Sequence, residues 1–177
     1  MRWSTRAAAC VELALLMVAG GCGGGDGDSE RVNSARYHYS IALDPAMTQP
    51  VPATETWDGR SELSHGELFV DEYDLDNGDF FFVVGAPVDG TVREFANDAH
   101  RQAVQLHGCD PSPKITDTQL DGAEALQYDM LCEGNHIQRV YAVKDGRGLI
   151  AALGADAARR EENRSTFDRL VSTVQWK

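Results

Sequence analysis

Cys109 and Cys132 are the residues of this 177-residue chain best placed to do chemistry. They sit in the segments His107-Gly108-Cys109 and Cys132-Glu133-Gly134-Asn135-His136. If the two cysteines are neighbours in space, two outcomes are open. One is a disulfide; the other is a tetrahedral zinc site of two sulfurs and two imidazoles. The spacing matches no standard zinc motif, and paired thiols oxidise outside the cytoplasm, so a disulfide is the expected outcome. A closed loop of roughly 24 residues stabilises by about 3 kcal/mol in the chain-entropy account. Other chemistry finds little support. There is no Gly-x-Ser-x-Gly elbow for a serine nucleophile and no glycine loop between a strand and a helix to cradle phosphate. The histidines His38, His65, His100, His107 and His136 show no ligand spacing, and each is expected at the surface or at a cap. The acids Asp71, Glu72, Asp74, Asp76 and Asp79 invite a calcium reading, but counting back from Gly78 puts Leu75 and Tyr73 at ligand positions. They read instead as a solvated strand edge that discourages aggregation. No catalytic residue, metal or cofactor is expected, and the chain does not read as an enzyme.

The other two cysteines lie at the N-terminus. Arg2 and Arg6 precede an apolar run over residues 7–19, followed by Gly20-Gly21-Cys22. A basic start, a short apolar stretch and small residues define a secretory leader, too short to span a bilayer. The arrangement resembles a bacterial lipoprotein signal, in which the cysteine is lipidated and becomes the first mature residue. That implies a leader over 1–21 that carries Cys10 away, a lipid on Cys22, and residence at the outer face of the cell membrane. Glu12 inside the apolar run and Ala19 three places before the cysteine depart from the usual pattern. The Gly-rich polar stretch 22–36 reads as a flexible tether, because it cannot bury enough apolar surface to order itself. The single globular domain is then 37–177, of a size that builds its own core.

Charge narrows the partners. The chain carries 28 acidic and 16 basic side chains, a net of −12. Losing Arg2, Arg6 and Glu12 with the leader takes this to −13. Such a surface excludes nucleic acid, which needs a basic footprint. It also disfavours direct contact with anionic headgroups, so the membrane is engaged through the anchor only. The expected partner is an envelope protein or a small ligand, or else an apolar or lipidic ligand that the domain carries, met by a monomer.

These residues require elements to hold them. Residues 37–43 read as a first strand. Residues 44–66, with Pro45, Pro50 and Pro52, form a long connection, and its one large aromatic, Trp57, marks a candidate binding loop. Runs 67–75 and 80–84 flank Asn77-Gly78, a signal for a hairpin with a type I′ turn. Thr91 and Glu94 form a capping box for a helix over 91–107. Val92, Phe95, Ala96, Ala99, Ala103 and Leu106 line one face of it, and Gly108 stops it. Strands follow at 115–120, 123–132, 136–144 and 149–154, punctuated by Asp121-Gly122, Glu133-Gly134 and Asp145-Gly146. A last helix over 156–173 buries Phe167, Leu170, Val171 and Val174. Its charged run 159–164 reads as a solvated face, and Trp176 is expected to pack where the chain ends. The order predicts an α+β fold, an antiparallel sheet with flanking helices.

With these elements in place the sequence resembles the PsbP-like α/β/α sandwich, and more closely the small actinobacterial lipoproteins of the LpqN type. The resemblance covers about residues 37–176. It rests on Cys22, on the amphipathic helix running into Cys109, on Ile115-Thr116-Asp117-Thr118-Gln119-Leu120-Asp121-Gly122-Ala123-Glu124-Ala125, and on Phe167-Asp168-Arg169-Leu170-Val171-Ser172-Thr173-Val174. The family places a proline-tryptophan element near the first strand, whereas Trp57 comes later. The resemblance implies a non-enzymatic accessory or binding domain of the cell envelope and brings no catalytic residues.

Overall fold

The computed structural model describes residues 31–42 and 71–177. Two sheets and two helices form three layers. The central sheet has six antiparallel strands in the order β3-β4-β8-β7-β6-β5. These are β3 (Asp71–Asp74), β4 (Phe80–Pro87), β5 (Lys114–Leu120), β6 (Ala123–Cys132), β7 (Asn135–Lys144) and β8 (Arg147–Asp156). A smaller sheet joins β1 (Arg31–Ser34), β2 (Tyr39–Ala42) and β9 (Gln175–Trp176) in the order β1-β2-β9. Helix α1 is Val92–His107, and α2, Arg160–Thr173, follows a 3-10 turn at Ala157–Arg159. No helix among the described residues is long and apolar enough to cross a membrane.

Local chemistry explains the run from β5 to β8. Asp121-Gly122, Glu133-Gly134 and Asp145-Gly146 all have positive φ at both positions. That is the type I′ geometry, whose twist matches a tight hairpin. The Asn77-Gly78 turn is different, and here the expectation is corrected. Only Gly78 has positive φ, and its N–H donates to the Leu75 carbonyl while the Leu75 N–H donates to Asp79. This is a three-residue loop closed by a glycine bulge rather than a two-residue I′ turn.

Helix α1 begins as its capping box requires. The Glu94 N–H donates to Thr91 Oγ1 (3.2 Å), and the Thr91 N–H donates back to Glu94 Oε2 (2.9 Å). Gly108 ends it at φ 54°. The buried stripe is Val92, Phe95, Ala96, Ala99, His100 and Ala103. Leu106, expected in that stripe, is 62% exposed.

Side chains alternate across a strand, so register sorts them onto faces. Tyr128 and Tyr141 turn toward α1, where Tyr141 meets Phe95 edge-on at 6.1 Å. Asp129, His136 and Gln138 turn the other way, toward α2. The small sheet lies on that second face too: the Tyr39 hydroxyl donates to Asp71 Oδ2 on β3 (2.9 Å) and meets the Tyr73 hydroxyl (2.7 Å). The result is α1, then the six-stranded sheet, then α2 with the small sheet. The expected α+β class and antiparallel sheet with flanking helices are observed.

Close packing has a testable consequence at Gly148 on β8. A Cβ built there would stand 2.6 Å from a Val88 methyl and 2.7 Å from the Phe95 ring. Gly148→Ala is expected to cost about 1–3 kcal/mol, as overpacking does. A urea midpoint unchanged from that of the parent protein would show that α1 has room to move off β8.

The domain boundary moves. Arg31–Ser34, assigned above to the tether, is strand β1, paired with β2 in the register Arg31↔Ala42 to Ser34↔Tyr39. Arg31 is also tied down: its guanidinium donates to the Thr173 carbonyl (2.7 Å) and to Ser40 Oγ (3.1 Å). The sequence 31–34 lacks a strong strand signal. It is ordered by the β2 edge, which lies beyond it in the chain.

A polar cleft beside an ionic cluster

Cys109 and Cys132 form the disulfide, with an S–S separation of 2.01 Å. It staples the end of α1 to the end of β6, and the Asp110 N–H donates to the Leu131 carbonyl alongside (2.8 Å). The zinc alternative is thereby overturned: both thiols are consumed. His136 also points to the opposite face of the sheet from Cys132, paired instead with Asp129.

Two further expectations are corrected. His100 and His136 are buried, not surface residues. His100 packs against Tyr128 at 5.5 Å, and burial, more than any other influence, pulls its pKa below the ordinary imidazole value. The acids of 71–79 do not form one solvated edge. Asp71 and Asp79 are buried, engaged by Tyr39 and Arg159, while Glu72, Asp74 and Asp76 face outward. Burial is the main reason the Tyr39 phenol rises far above its usual value, and Tyr73 is pushed up to about 12 for the same leading reason.

The run 159–164 is not a solvated face either. Its arginines reach down to the sheet. Arg160 and Arg164 each donate to Asp129 at 2.8 Å, on Oδ1 and Oδ2 respectively, and His136 Nε2–H donates to Oδ1 at 2.8 Å. Arg159 pairs with Asp79. Burial works to raise the Asp129 pKa, but the bonds from Arg164, His136 and Arg160 together outweigh it and bring the carboxyl to about 2. A charged, multiply bonded carboxylate thus holds α2 on β6 and β7. Sequence reading missed it. The one signal was the four-residue spacing of Arg160 and Arg164, which puts both on one face of the last helix.

The position of α2 leaves a cleft between its C-terminal half and the β5–β6 edge of the sheet, about 790 Å³ in volume. Thr118, Gln119 and the Asp121-Gly122 turn form one wall, Asp168, Val171 and Ser172 the other, with Gln127 also lining it. Gln127 lies two residues before Asp129 on the same face of β6, so the ionic cluster sets the spacing of the walls. Thr118 and Gln119 are consecutive residues of a strand, yet both line the cleft. Consecutive side chains point to opposite faces, so the cleft wraps the sheet edge. Arg31 and Ala42, paired across β1 and β2, also line it. The lining is mostly hydroxyl, amide and carboxylate, and it contains no histidine or cysteine. Its ionic groups are partly committed: Arg31 as above, and Asp121 to the Trp176 N–H (2.8 Å). Trp176 itself is buried, as expected. Among the described residues no group of three or more His, Cys, Asp or Glu is placed to hold a metal. Cys22 and Trp57 lie outside the described residues.

The three layers define a PsbP-like α+β fold. The solution structure of the cyanobacterial PsbP protein CyanoP from Synechocystis sp. PCC 6803 is similar at a TM-score of 0.54 and 16% identity, covering 90% of this chain and 99% of that one. A crystal structure from Bacteroides thetaiotaomicron VPI-5482 is similar at a TM-score of 0.49 and 6% identity, over 84% of this chain and 48% of that one. No protein-family model matches the sequence, and no curated protein matches it by sequence.

Proposed function

We propose that this chain is a lipid-anchored, extracytoplasmic binding protein of the cell envelope, of the LpqN type and non-enzymatic, that engages an envelope protein through the cleft between α2 and the β5–β6 edge. The leader 1–21 and the lipid on Cys22 are part of this reading, and the tether ends before Arg31. The cleft is the observation that carries it. It is open and polar, and it borders β5, an edge strand of the central sheet among the described residues, which suits a polypeptide better than an enclosed hydrocarbon ligand. An apolar carrier remains the second reading, favoured only if the cleft bound lipid. Among the described residues no nucleophile and base are paired within its walls.

The test is site-specific photocrosslinking in the native envelope. A photoreactive residue at Gln127 is expected to give an adduct with one envelope protein. The same group at Arg101, exposed on α1 across the sheet, is expected to give none. A Ser172→Trp change that fills the cleft should reduce the Gln127 adduct about tenfold, the effect of losing about 1.4 kcal/mol of binding. Equal adducts from both positions would sink the cleft as the contact site. An adduct from position 57 alone would move the contact to the 44–66 segment.

A further inference from the structure

The chain enters the described domain at Arg31, and Arg31 lines the cleft. Its position is fixed by the Thr173 carbonyl at the C-terminal end of α2 and by Ser40 on β2. Arg31 is thus on the α2 side of the central sheet, with α1 on the other side. Cys22 is nine positions earlier in the chain. Nine residues span at most about 30 Å when fully extended. A random chain of nine residues has ends roughly 15–18 Å apart on average.

Those lengths are short against the domain. A compact body of the roughly 120 described residues has a radius of gyration of about 14 Å, hence a diameter of about 35 Å and a half-circumference of about 55 Å. To turn the outer face of α1 onto the bilayer, the chain from Cys22 would have to pass around the domain to Arg31. It is about half as long as that path. The surface around Arg31 is therefore confined near the membrane, and the α1 surface is kept away from it.

We infer that the cleft between α2 and the β5–β6 edge is the membrane-facing side of the anchored protein, so that its partner is bound where that partner emerges from the bilayer surface. This rests on the lipid anchor at Cys22 proposed above. The partner's contacting segment is then juxtamembrane: a soluble envelope protein, or a distal domain, would have to enter the narrow space beneath the module. Two other occupants fit less well. The tether itself is rich in glycine and carries Asp26, Asp28 and Glu30, a composition with poor strand propensity that meets Asp121 and Asp168 in the cleft. A second copy pairing through β5 would bring Asp117 against Asp117 in the symmetric antiparallel register, a like-charge contact.

The experiment uses the full chain, matured in a lipidating host and reconstituted into neutral phosphatidylcholine vesicles that carry spin-labelled headgroups as quenchers. A single fluorophore is placed through Asp168→Cys on the cleft wall or through Arg101→Cys on α1, with the Cys109–Cys132 bridge left oxidised. Flotation with the vesicles and the mass of the Cys22 peptide first establish the anchor; an unacylated, non-floating protein overturns the anchor reading and this inference with it. With the anchor in place, quenching at position 168 is expected to exceed that at 101 by at least about twofold. Equal or reversed quenching in floating protein overturns the orientation while leaving the anchor intact. Inserting about 20 flexible residues between Glu30 and Arg31 raises the contour length to about 100 Å, longer than the path around the domain, and is expected to abolish the difference. A difference that survives the insertion overturns the tether as its cause.

Discussion

Asp129→Asn is expected to lower stability by about 2–3 kcal/mol and to loosen the seat of α2 on β6 and β7. The carboxylate is buried and accepts from Arg160, Arg164 and His136. Removing one partner of a buried ionic cluster typically costs about 3–5 kcal/mol. The lower figure applies here because Arg160 and Arg164 are 47% and 35% exposed and recover part of their hydration. The pH dependence has a definite sign. The folded-state pKa of about 2 lies below the ordinary 3.8, so the stabilisation is complete above about pH 4 and is lost as pH falls toward 2. The difference in unfolding free energy between the parent and Asp129→Asn, measured by urea melts, should be constant from pH 7 to about 5 and shrink by pH 2.5. A difference that does not change across that range would mean the carboxylate is not held ionised by these partners. The variant should also weaken the Gln127 crosslink, because α2 forms one wall of the cleft.

The double change Cys109→Ser and Cys132→Ser is expected to cost about 3 kcal/mol, from the entropy returned to the unfolded chain. For a domain of this size that is a fall of roughly 10–15 °C in Tm. The loss should be felt first in α1. Its buried stripe contains three alanines and only two large apolar residues, Val92 and Phe95. Alanine buries little area, and hydrophobic stabilisation scales with area. The bridge therefore supplies a large share of what holds the helix to β6 and β7. Hydrogen exchange should quicken across Val92–His107 while β7 and β8 stay protected. A Tm within 2 °C of the parent, or uniform loss of protection, would contradict this.

How far the sequence could be read depended on the range of each signal. The three turns from β5 to β8 were visible because glycine after Asp, or in Glu133-Gly134 after Glu, states its φ preference locally, while their I′ type came from the structure. The α1 boundaries were visible because a capping box spans four residues. The pairing of Cys109 with Cys132 was reached by counting cysteines. Asn77-Gly78 misled because the same dipeptide serves a bulged three-residue loop, and the choice was made by the β3–β4 register. The acids and arginines misled in a different way. Charge is ordinarily solvated, and nothing local says that Asp79 and Asp129 will face helix α2 and its preceding turn across the sheet.

The sequence by itself determined the α+β class, the hairpin order from β5 to β8, both helices and the disulfide pair. Tertiary structure alone decided that Arg31–Ser34 is a strand, that β9 pairs with β2 across most of the chain, and that a cleft opens beside α2. The physical reason is contact distance. Turn dihedrals, caps and periodicity are settled within a few residues, whereas Tyr39↔Trp176 and Arg160 to Asp129 join positions whose meeting depends on every element between them.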